Sequence, residues 1–311
     1  MNLYELSATD AAAAIRAGEI SSEELVKSCL DRIEVSEKKV AAWEHIDPEY
    51  ALQQARDADL QRRSGAPTGC LHGVPVGVKD IFDTKDMPTE DGTPLHAGRT
   101  PAYDATAVAR LREGGAVVMG KTVTTELAVY APGKTRNPHD PDRTPGGSSS
   151  GSAAAVAANM VPLAIGTQTN GSIIRPASYC GVYGYKPTRG LISRYRVLRQ
   201  SRVLDQVGVF GRSIADVALI AEQLMAFDDR DPDMRPRARP GLIETAAMDP
   251  LVPPRLAFVK TPAWDQADED TYGAFGELAD FLGSNVEEID LSELLKSAVS
   301  WHRAIMEADL A

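Results

Sequence analysis

The chain has 311 residues, of which 43% are hydrophobic and 25% are charged, and its formal net charge is −11. This length and composition are typical of a globular protein that buries a large core in one large domain or two ordinary ones. The acidic balance argues against nucleic acid or an anionic membrane as partner, because basic patches normally supply that attraction.

The first 65 residues predict a mostly helical segment. Residues 7–17 predict one helix, because Ser7 and Asp10 form a capping-box type of start and Gly18 suits its end. Further helices are predicted from residue 21 or 22 onward and over about 48–63, where apolar residues recur at helical spacing.

Short apolar strands then alternate with helices over residues 66–226. This alternation favours an α/β fold, in which helices cover a central sheet. Strands are predicted within 73–83, 114–122 and 161–168, and helices over 104–113, over the alanine-rich stretch after residue 152, and over 213–226.

The last part of the chain predicts a long loop followed by a β-α-β unit. Residues 227–254 are rich in Asp, Arg and Pro and predict the loop, whereas residues 255–311 contain two strand patterns around a helix at 268–282. The final helical pattern has no Gly or Pro stop signal. This ending raises the alternative of a truncated chain.

One stretch matches the sequence pattern of a nucleotide-binding motif but not the structure that this motif requires. Residues 115–122, "GAVVMGKT", fit the P-loop pattern, but "AVVM" reads as a β-strand and not as a loop, and no clear helix follows. We therefore interpret Lys121 as the end of a core strand.

Three polar features lie in or beside predicted buried segments. Lys79 follows the apolar run "VPVGV"; a buried lysine loses its proton readily and can act as a base, whereas an exposed one would be an ordinary strand-end residue. "PGGSSSGS" (145–152) has the composition of a flexible tether, yet it leads straight into a helix former. Ser172 follows Asn170 and Gly171 in a turn that either aims several N–H groups at one point or leaves a solvated serine.

The cysteines and histidines predict neither disulfides nor a metal site. Cys29, Cys70 and Cys180 are odd in number and form no CxxC motif, so we interpret them as reduced thiols of a cytoplasmic protein. The five histidines show no metal-ligand spacing. The N-terminus lacks the basic and apolar regions of a secretion signal, and no apolar run is long enough to span a bilayer.

The three features together resemble the amidase signature family of serine hydrolases. The resemblance extends from about Leu3 to the end of the chain and rests on the stretches "LHGVPVGVKDIFDT", "GKTVTTELA", "TRNPHDPDRTPGGSSSGSAAAVA", "GTQTNGS" and "CGVYGYKPTRG". It implies an α/β fold with a mixed central β-sheet, helices on both faces of the sheet and a helical N-terminal segment, all within a single domain over residues 1–311.

The resemblance also implies a catalytic triad of Lys79, Ser148 and Ser172. Each residue matches the family's motif at its own position, and 24 positions separate the two serines. Ser172 would attack an amide carbonyl, and Ser148 would relay the proton to neutral Lys79. The glycine- and serine-rich stretch would then be a rigid loop with a cis peptide before Ser148, and no metal or cofactor would be needed.

The oxyanion donors implied by the resemblance are the N–H groups of Thr169, Asn170, Gly171 and Ser172. Many family members have Asp where Gln168 stands and Gly where Asn170 stands. Asn tolerates a left-handed backbone better than most residues, so the turn could keep its shape.

Arg175 is the candidate substrate-binding residue. It lies three residues after Ser172, a position that resembles malonamidase-type members, in which an arginine pairs with a substrate carboxylate. The alternative is that Arg175 braces a loop by binding backbone carbonyls or a nearby acid.

Three functions remain open on the sequence. The first is a hydrolase of a small linear amide, with or without a carboxylate, that acts alone or as a homodimer on a small-molecule substrate, without nucleic acid or membrane. The second is the glutaminase-type A subunit of a tRNA-dependent amidotransferase, which would need partner proteins. The third is an inactive remnant or scaffold, because family members are usually longer than this chain.

Overall fold

The computed structural model describes residues 2–311, which divide into two compact units, one ending at Ala247 and the other comprising Met248–Ala311. The single domain over residues 1–311 stays a prediction. The boundary falls inside the stretch 227–254 predicted as a loop, and that stretch also contains a short helix, Leu242–Ala247.

Most of the predicted elements are present, with bounds within a few residues of those expected. The α-helices are α1 Ala8–Ala17, α2 Ser22–Val40, α3 Pro48–Arg63, α4 Thr106–Glu113, α5 Ser150–Ala157, α6 Ile174–Cys180, α7 Ile214–Leu224, α8 Leu242–Ala247, α9 Glu269–Leu282 and α10 Ala298–Leu310. The β-strands are β1 Trp43–Ile46, β2 Pro75–Lys79, β3 Val117–Thr122, β4 Leu163–Gln168, β5 Tyr183–Tyr185, β6 Gln206–Gly211, β7 Leu256–Lys260 and β8 Val286–Asp290.

The first unit is built on a mixed six-stranded sheet with the order β1-β3-β2-β4-β6-β5. Strand β2 runs parallel to both of its neighbours, β3 and β4, whereas β1, β5 and β6 pair antiparallel. The mixed sheet expected from the resemblance is therefore confirmed. Because β2 is central, its last residue, Lys79, lies in the middle of the sheet edge.

Helices cover both faces of this sheet, as expected. Successive strand residues point to opposite faces, so Leu163 and Ile165 of β4 join one apolar cluster and Ala164 joins the other. Helices α4 and α7 supply the first cluster, and α2, α3 and α5 supply the second. An apolar core thus packs against each face of the sheet, and the two cores together fix the positions of the strand ends.

The N-terminal helices begin and end where their capping residues predict. Ser7 Oγ accepts a hydrogen bond of 3.0 Å from Asp10 N, and Gly18 ends α1 in the left-handed conformation with φ 78°. Ser21 forms a complete capping box with Glu24 at the start of α2. The segment also contributes β1, which the sequence does not reveal because a four-residue strand is too short to show alternation.

The P-loop-like residues lie in a core strand, as interpreted. Gly120, Lys121 and Thr122 are the last three residues of β3, and Lys121 is fully buried. Its Nζ donates to Thr89 Oγ1 at 2.6 Å and pairs with Asp80 Oδ1 at 3.2 Å. Since this lysine is used inside the core, the segment offers no phosphate site.

The second unit contains the predicted β-α-β arrangement. Strands β7 and β8 pair in parallel and are joined through α9. Phe258 and Phe275 stack with ring centroids 5.3 Å apart, and Trp264 meets Phe258 edge-on at 5.1 Å. Aromatic packing of this kind anchors the helix to its sheet.

Candidate active site

Lys79 ends the central strand β2 with its side chain fully buried. Its Nζ lies 2.7 Å from Ser148 Oγ and donates to Thr167 Oγ1 at 2.9 Å. Burial lowers the pKa of the Lys79 amine to about 7, and the negative charge of Asp205 acts in the opposite direction. A substantial fraction of the amine is therefore neutral near pH 7, and a neutral amine has a lone pair that can accept a proton.

The glycine- and serine-rich stretch forms a rigid, buried loop that leads into α5, as the resemblance implies. The Gly147–Ser148 peptide is cis. The other serine hydroxyls of the stretch bond to backbone atoms of the neighbouring strands and their ends. These bonds join Ser149 Oγ to Thr167 O (3.1 Å), Ser150 Oγ to Val123 O (3.3 Å) and Ser152 Oγ to Ile165 O (2.9 Å).

Ser172 lies in the turn between β4 and α6, with only 4% of its surface exposed. Gly171 has φ 147°, a conformation that side chains rarely adopt, so glycine suits this turn. On the other side of the serine, Gln168 Oε1 accepts hydrogen bonds of 3.0 Å from the N–H groups of Ile173 and Ile174. The Gln168 carbonyl thus satisfies two N–H groups at the start of α6 and holds the turn in place.

The structure places the three predicted catalytic residues at one end of the sheet, but it joins only two of them directly. Lys79 and Ser148 are in contact. Within residues 2–311, no hydrogen bond joins the hydroxyls of Ser148 and Ser172. The turn carrying Ser172 is tied to the serine loop instead through Arg175, whose Nε and Nη2 donate to Gly147 O at 3.1 and 2.9 Å. Catalytic hydrogen bonds are often long before substrate binds.

Two of the predicted oxyanion donors are available for a ligand. In the described part of the chain, the N–H groups of Gly171 and Ser172 donate to no acceptor. The side chains of the other two predicted residues are engaged: Thr169 Oγ1 donates to Asp205 Oδ1 at 2.6 Å, and Asn170 Nδ2 donates to Tyr130 Oη at 3.0 Å. These side-chain contacts fix the backbone of the turn.

The contacts of Arg175 are those expected if this residue braces a loop by binding backbone carbonyls. Besides Gly147 O, its guanidinium reaches Asn170 Oδ1 at 3.4 Å. It also lines a cavity of about 290 Å³ together with Tyr130 and Tyr179. These contacts engage two of its three guanidinium nitrogens and leave Nη1 for a ligand. The carboxylate-binding role of Arg175 therefore stays a prediction.

Two further polar residues, which the sequence does not point to, shape the site. The Thr167 hydroxyl on β4 accepts a hydrogen bond of 2.9 Å from the Lys79 amine. Asp205 accepts hydrogen bonds from Gln200 N (2.8 Å) and Ser201 N (2.9 Å), and its charge acts on Lys79. The alternation of side-chain directions along strand β4, "LAIGTQ", could have placed Thr167 beside Lys79. No local sequence signal connects Asp205 with Lys79.

Residues 2–311 contain neither a candidate metal site nor a candidate membrane-spanning helix. Among residues 2–311, no group of three or more His, Cys, Asp or Glu side chains could hold a metal ion. None of the helices described has the length and apolar character needed to cross a membrane.

Two curated proteins with similar sequences bear the name of an amidotransferase A subunit. The chain is 39% identical over 309 residues to the A subunit of the glutamyl-tRNA(Gln) amidotransferase of Thermobifida fusca, covering 96% of this chain and 62% of that protein. It is 43% identical over 235 residues to the corresponding protein of Chloroflexus aurantiacus, covering 74% of this chain and 48% of that protein. The chain therefore spans roughly half to two thirds of the length of these relatives.

Solved structures with a similar fold include a peptide amidase and a cyclic dimer hydrolase. The peptide amidase of Stenotrophomonas maltophilia superposes with a TM-score of 0.84 at 32% identity, covering 98% of this chain and 67% of that one. The 6-aminohexanoate cyclic dimer hydrolase superposes with a TM-score of 0.77 at 30% identity, covering 93% of this chain and 61% of that one. The family model named Amidase matches residues 24–309. Sequence, fold and the motifs around Lys79 and Ser148 thus lead to one conclusion: this chain is a member of the amidase signature family, whose enzymes act on carbon–nitrogen bonds of amides.

Proposed function

We propose that the chain hydrolyses an amide through an acyl-enzyme on Ser172. The observation that carries the proposal is the buried contact of 2.7 Å between Lys79 Nζ and Ser148 Oγ, with the pKa of the amine lowered to about 7. A neutral amine in contact with a hydroxyl is a proton acceptor, and the hydroxyl can in turn accept a proton from a neighbouring serine.

In the first half-reaction, Ser172 Oγ attacks the amide carbonyl carbon. Its proton passes to Ser148 Oγ, and the proton of Ser148 passes to Lys79 Nζ. The N–H groups of Gly171 and Ser172 stabilise the oxyanion; loss of one such donor costs about 2.7–4 kcal/mol in comparable sites. The proton returns to the leaving nitrogen as the C–N bond breaks, and ammonia or an amine departs.

In the second half-reaction, water attacks the acyl-enzyme. A proton of the water follows the same path to Lys79, and the second oxyanion collapses to release the carboxylic acid. Ser172 regains its proton as it leaves, so Lys79 returns to the neutral state. Arg175 acts here as a positioning residue, because it binds Gly147 O, next to Ser148.

The relatives favour glutamine as the amide. The two curated proteins described above both bear the name of the A subunit of a glutamyl-tRNA(Gln) amidotransferase. In such a role the chain would release ammonia for a partner protein. The second candidate is hydrolysis of a small linear amide without partners, and the likeness to the peptide amidase supports it. The predicted homodimer belongs with this second candidate and can be measured by light scattering.

The test combines labelling with product release. A fluorophosphonate probe should modify Ser172 in the wild type, as located by mass spectrometry, and should leave Ser172→Ala unlabelled. Ammonia release from glutamine and from short amides, measured on the purified chain alone, separates the two candidates. A folded chain that resists the probe and hydrolyses no amide would refute the proposal and favour an inactive scaffold.

A further inference from the structure

A second cavity, of about 370 Å³, lies next to the candidate catalytic residues. Thr167 and Thr169 form part of its wall, and the Thr167 hydroxyl is hydrogen-bonded to Lys79 Nζ at 2.9 Å. Val197 and Leu198 add apolar surface. A small molecule in this cavity would therefore contact apolar side chains and also Thr167, which is hydrogen-bonded to Lys79.

The wall of this cavity is positively charged. Five arginines and three aspartates line it, an excess of two positive charges in a chain whose net charge is −11. Positive charge gathered in a cavity of an acidic protein attracts anionic ligands locally. The arrangement therefore needs an explanation beyond the average composition of the surface.

Three of the five arginines are neutralised by carboxylates and hold the surrounding loops together. Arg194 Nη2 lies 2.5 Å from Asp233 Oδ2 and 3.1 Å from Asp231 Oδ1. Arg202 Nη2 lies 3.4 Å from Asp233 Oδ1, and Arg230 Nε lies 2.7 Å from Asp228 Oδ1. Desolvation acts to raise the pKa of the Asp233 carboxyl, but hydrogen bonds from arginines outweigh it and keep that pKa far below its usual range. The charges of these three arginines are thus already balanced.

The other two arginines, Arg196 and Arg199, form no ion pair anywhere in residues 2–311. The Arg196 guanidinium carbon lies 4.6 Å from the ring centroid of Tyr103, so the ring orients it while leaving the N–H groups at its edge free. Its backbone has φ 63°, which is uncommon for any residue except glycine. Such conformations are often retained where a side chain is needed at a functional site.

The segment that carries these arginines is attached directly to the chain that follows Lys79. Leu198 N donates to Ile81 O at 3.0 Å, and Asp83 N donates to Arg196 O at 3.1 Å. Two hydrogen bonds to the residues just beyond Lys79 fix the distance between the arginines and the amine. A substrate could therefore contact the arginines at one end and place its amide near Lys79 at the other only if its chain length matches this distance.

We propose that Arg196 and Arg199 form an anion subsite that binds a carboxylate on the substrate, so that the chain selects anionic amides over neutral ones of equal length. The proposal rests on the amide hydrolysis proposed above. It assigns carboxylate recognition to the wall of this cavity, whereas two of the three guanidinium nitrogens of Arg175 already donate to Gly147 O. A guanidinium pair suits a carboxylate because it offers bidentate hydrogen bonds.

The test compares glutaramate with pentanamide, which have the same chain length and differ in a terminal carboxylate or methyl group. We measure kcat/KM for both amides with the wild type and with the double variant Arg196→Gln/Arg199→Gln. The matched control is Arg235→Gln/Arg237→Gln, which removes the same charge from two exposed arginines that do not line the cavity.

The wild type should prefer glutaramate, and the double variant should lose about tenfold or more of that preference, since charge-assisted hydrogen bonds have effects of this order. The control should keep the wild-type preference. An unchanged ratio in the double variant, or an equal change in the control, would overturn the subsite. Arg175→Gln should instead slow both amides alike, because its contacts hold the serine loop.

A binding measurement separates failure of the subsite from failure of the proposed reaction. Glutaramate is titrated by calorimetry into the Ser172→Ala chain, with and without the Arg196→Gln/Arg199→Gln changes. If the wild type hydrolyses neither amide but glutaramate binds through the two arginines, the reaction fails and the subsite stands. If glutaramate does not bind, or binds equally to both proteins, the subsite is wrong.

Discussion

Burial decides the chemistry of Lys79 at the scale of the single residue. An exposed lysine stays protonated at neutral pH, whereas desolvation lowers the pKa of this amine to about 7. Because the fully unfolded chain would titrate near 10.5, the native chain holds one proton fewer between about pH 7 and 10.5. The contribution of Lys79 therefore opposes folding more and more as the pH falls from about 10.5 to about 7, and it keeps its full size below pH 7.

The first prediction follows from this pKa. The neutral amine is the form that accepts a proton, so the rate of fluorophosphonate labelling of Ser172 should rise with pH through about 7 and level off above it. The measurement is the labelling rate between pH 5.5 and about 9, where the proposed base changes its charge. Lys79→Met should abolish the rise, and a rate independent of pH in the wild type would contradict the assignment.

At the scale of the element, close backbone approach fixes helix α5 and with it the serine loop. A Cβ at Gly151 would overlap Ala42 O and Val123 N, because the first turn of α5 packs directly on the end of β3. Gly151 N also donates to Val123 O at 3.0 Å. Gly151 is one of the three glycines that give the stretch its tether-like composition. Its lack of a side chain is what allows α5 to pack against the strand.

The second prediction compares two glycines inside helices. Gly151→Ala should destabilise the first unit by about 1–3 kcal/mol, because its methyl group has no room. Gly276→Ala in α9 should stabilise the second unit by about 0.5–1 kcal/mol, the usual preference of a helix for alanine, since a Cβ there meets nothing within 4 Å.

Hydrogen–deuterium exchange of peptides from each unit measures both effects separately. Gly151→Ala should also slow labelling of Ser172, since the loop that carries Ser148 continues into α5. Equal protection of α5 in the wild type and in Gly151→Ala would show that the packing is looser than described.

For the whole molecule, the main feature is the division into two units with the candidate site entirely in the first. Lys79, Ser148 and Ser172 all precede Ala247, where the first unit ends. The residues around the boundary, 243–257, are all exposed. The chemistry proposed for Ser172 therefore draws all of its groups from the first unit.

The third prediction concerns this boundary. Arg255 lies in it with 90% of its side chain exposed, so brief trypsin treatment of the full chain should cleave first after this residue. Gel electrophoresis after labelling should show the probe in the larger fragment. The variant Arg255→Gln should lose the early cut, and a first cleavage inside the sheet of the first unit would count against the described boundary.

Local patterns were enough for most of the elements, and local motifs were enough for the family. Capping residues set the ends of α1 and α2, and apolar runs identified β2, β3 and β4. The candidate triad of Lys79, Ser148 and Ser172 came from the resemblance of the surrounding motifs to the amidase signature family. These features depend on residues close together in the chain, or on motifs that keep their spacing. The sequence did not predict strands β1, β5 and β6 or helices α6 and α8, most of which are too short to show a periodic pattern.

The contacts of the site depended on the tertiary structure. Two apolar clusters bring Asp205, Thr167 and the arginine-lined cavity beside Lys79, although more than a hundred positions separate Lys79 from Asp205. The lowered pKa of Lys79 likewise comes from burial among residues distant in the chain. The sequence by itself thus determined which groups are available, whereas packing decided which of them meet and what charge they carry, because desolvation and contact are properties of the folded core.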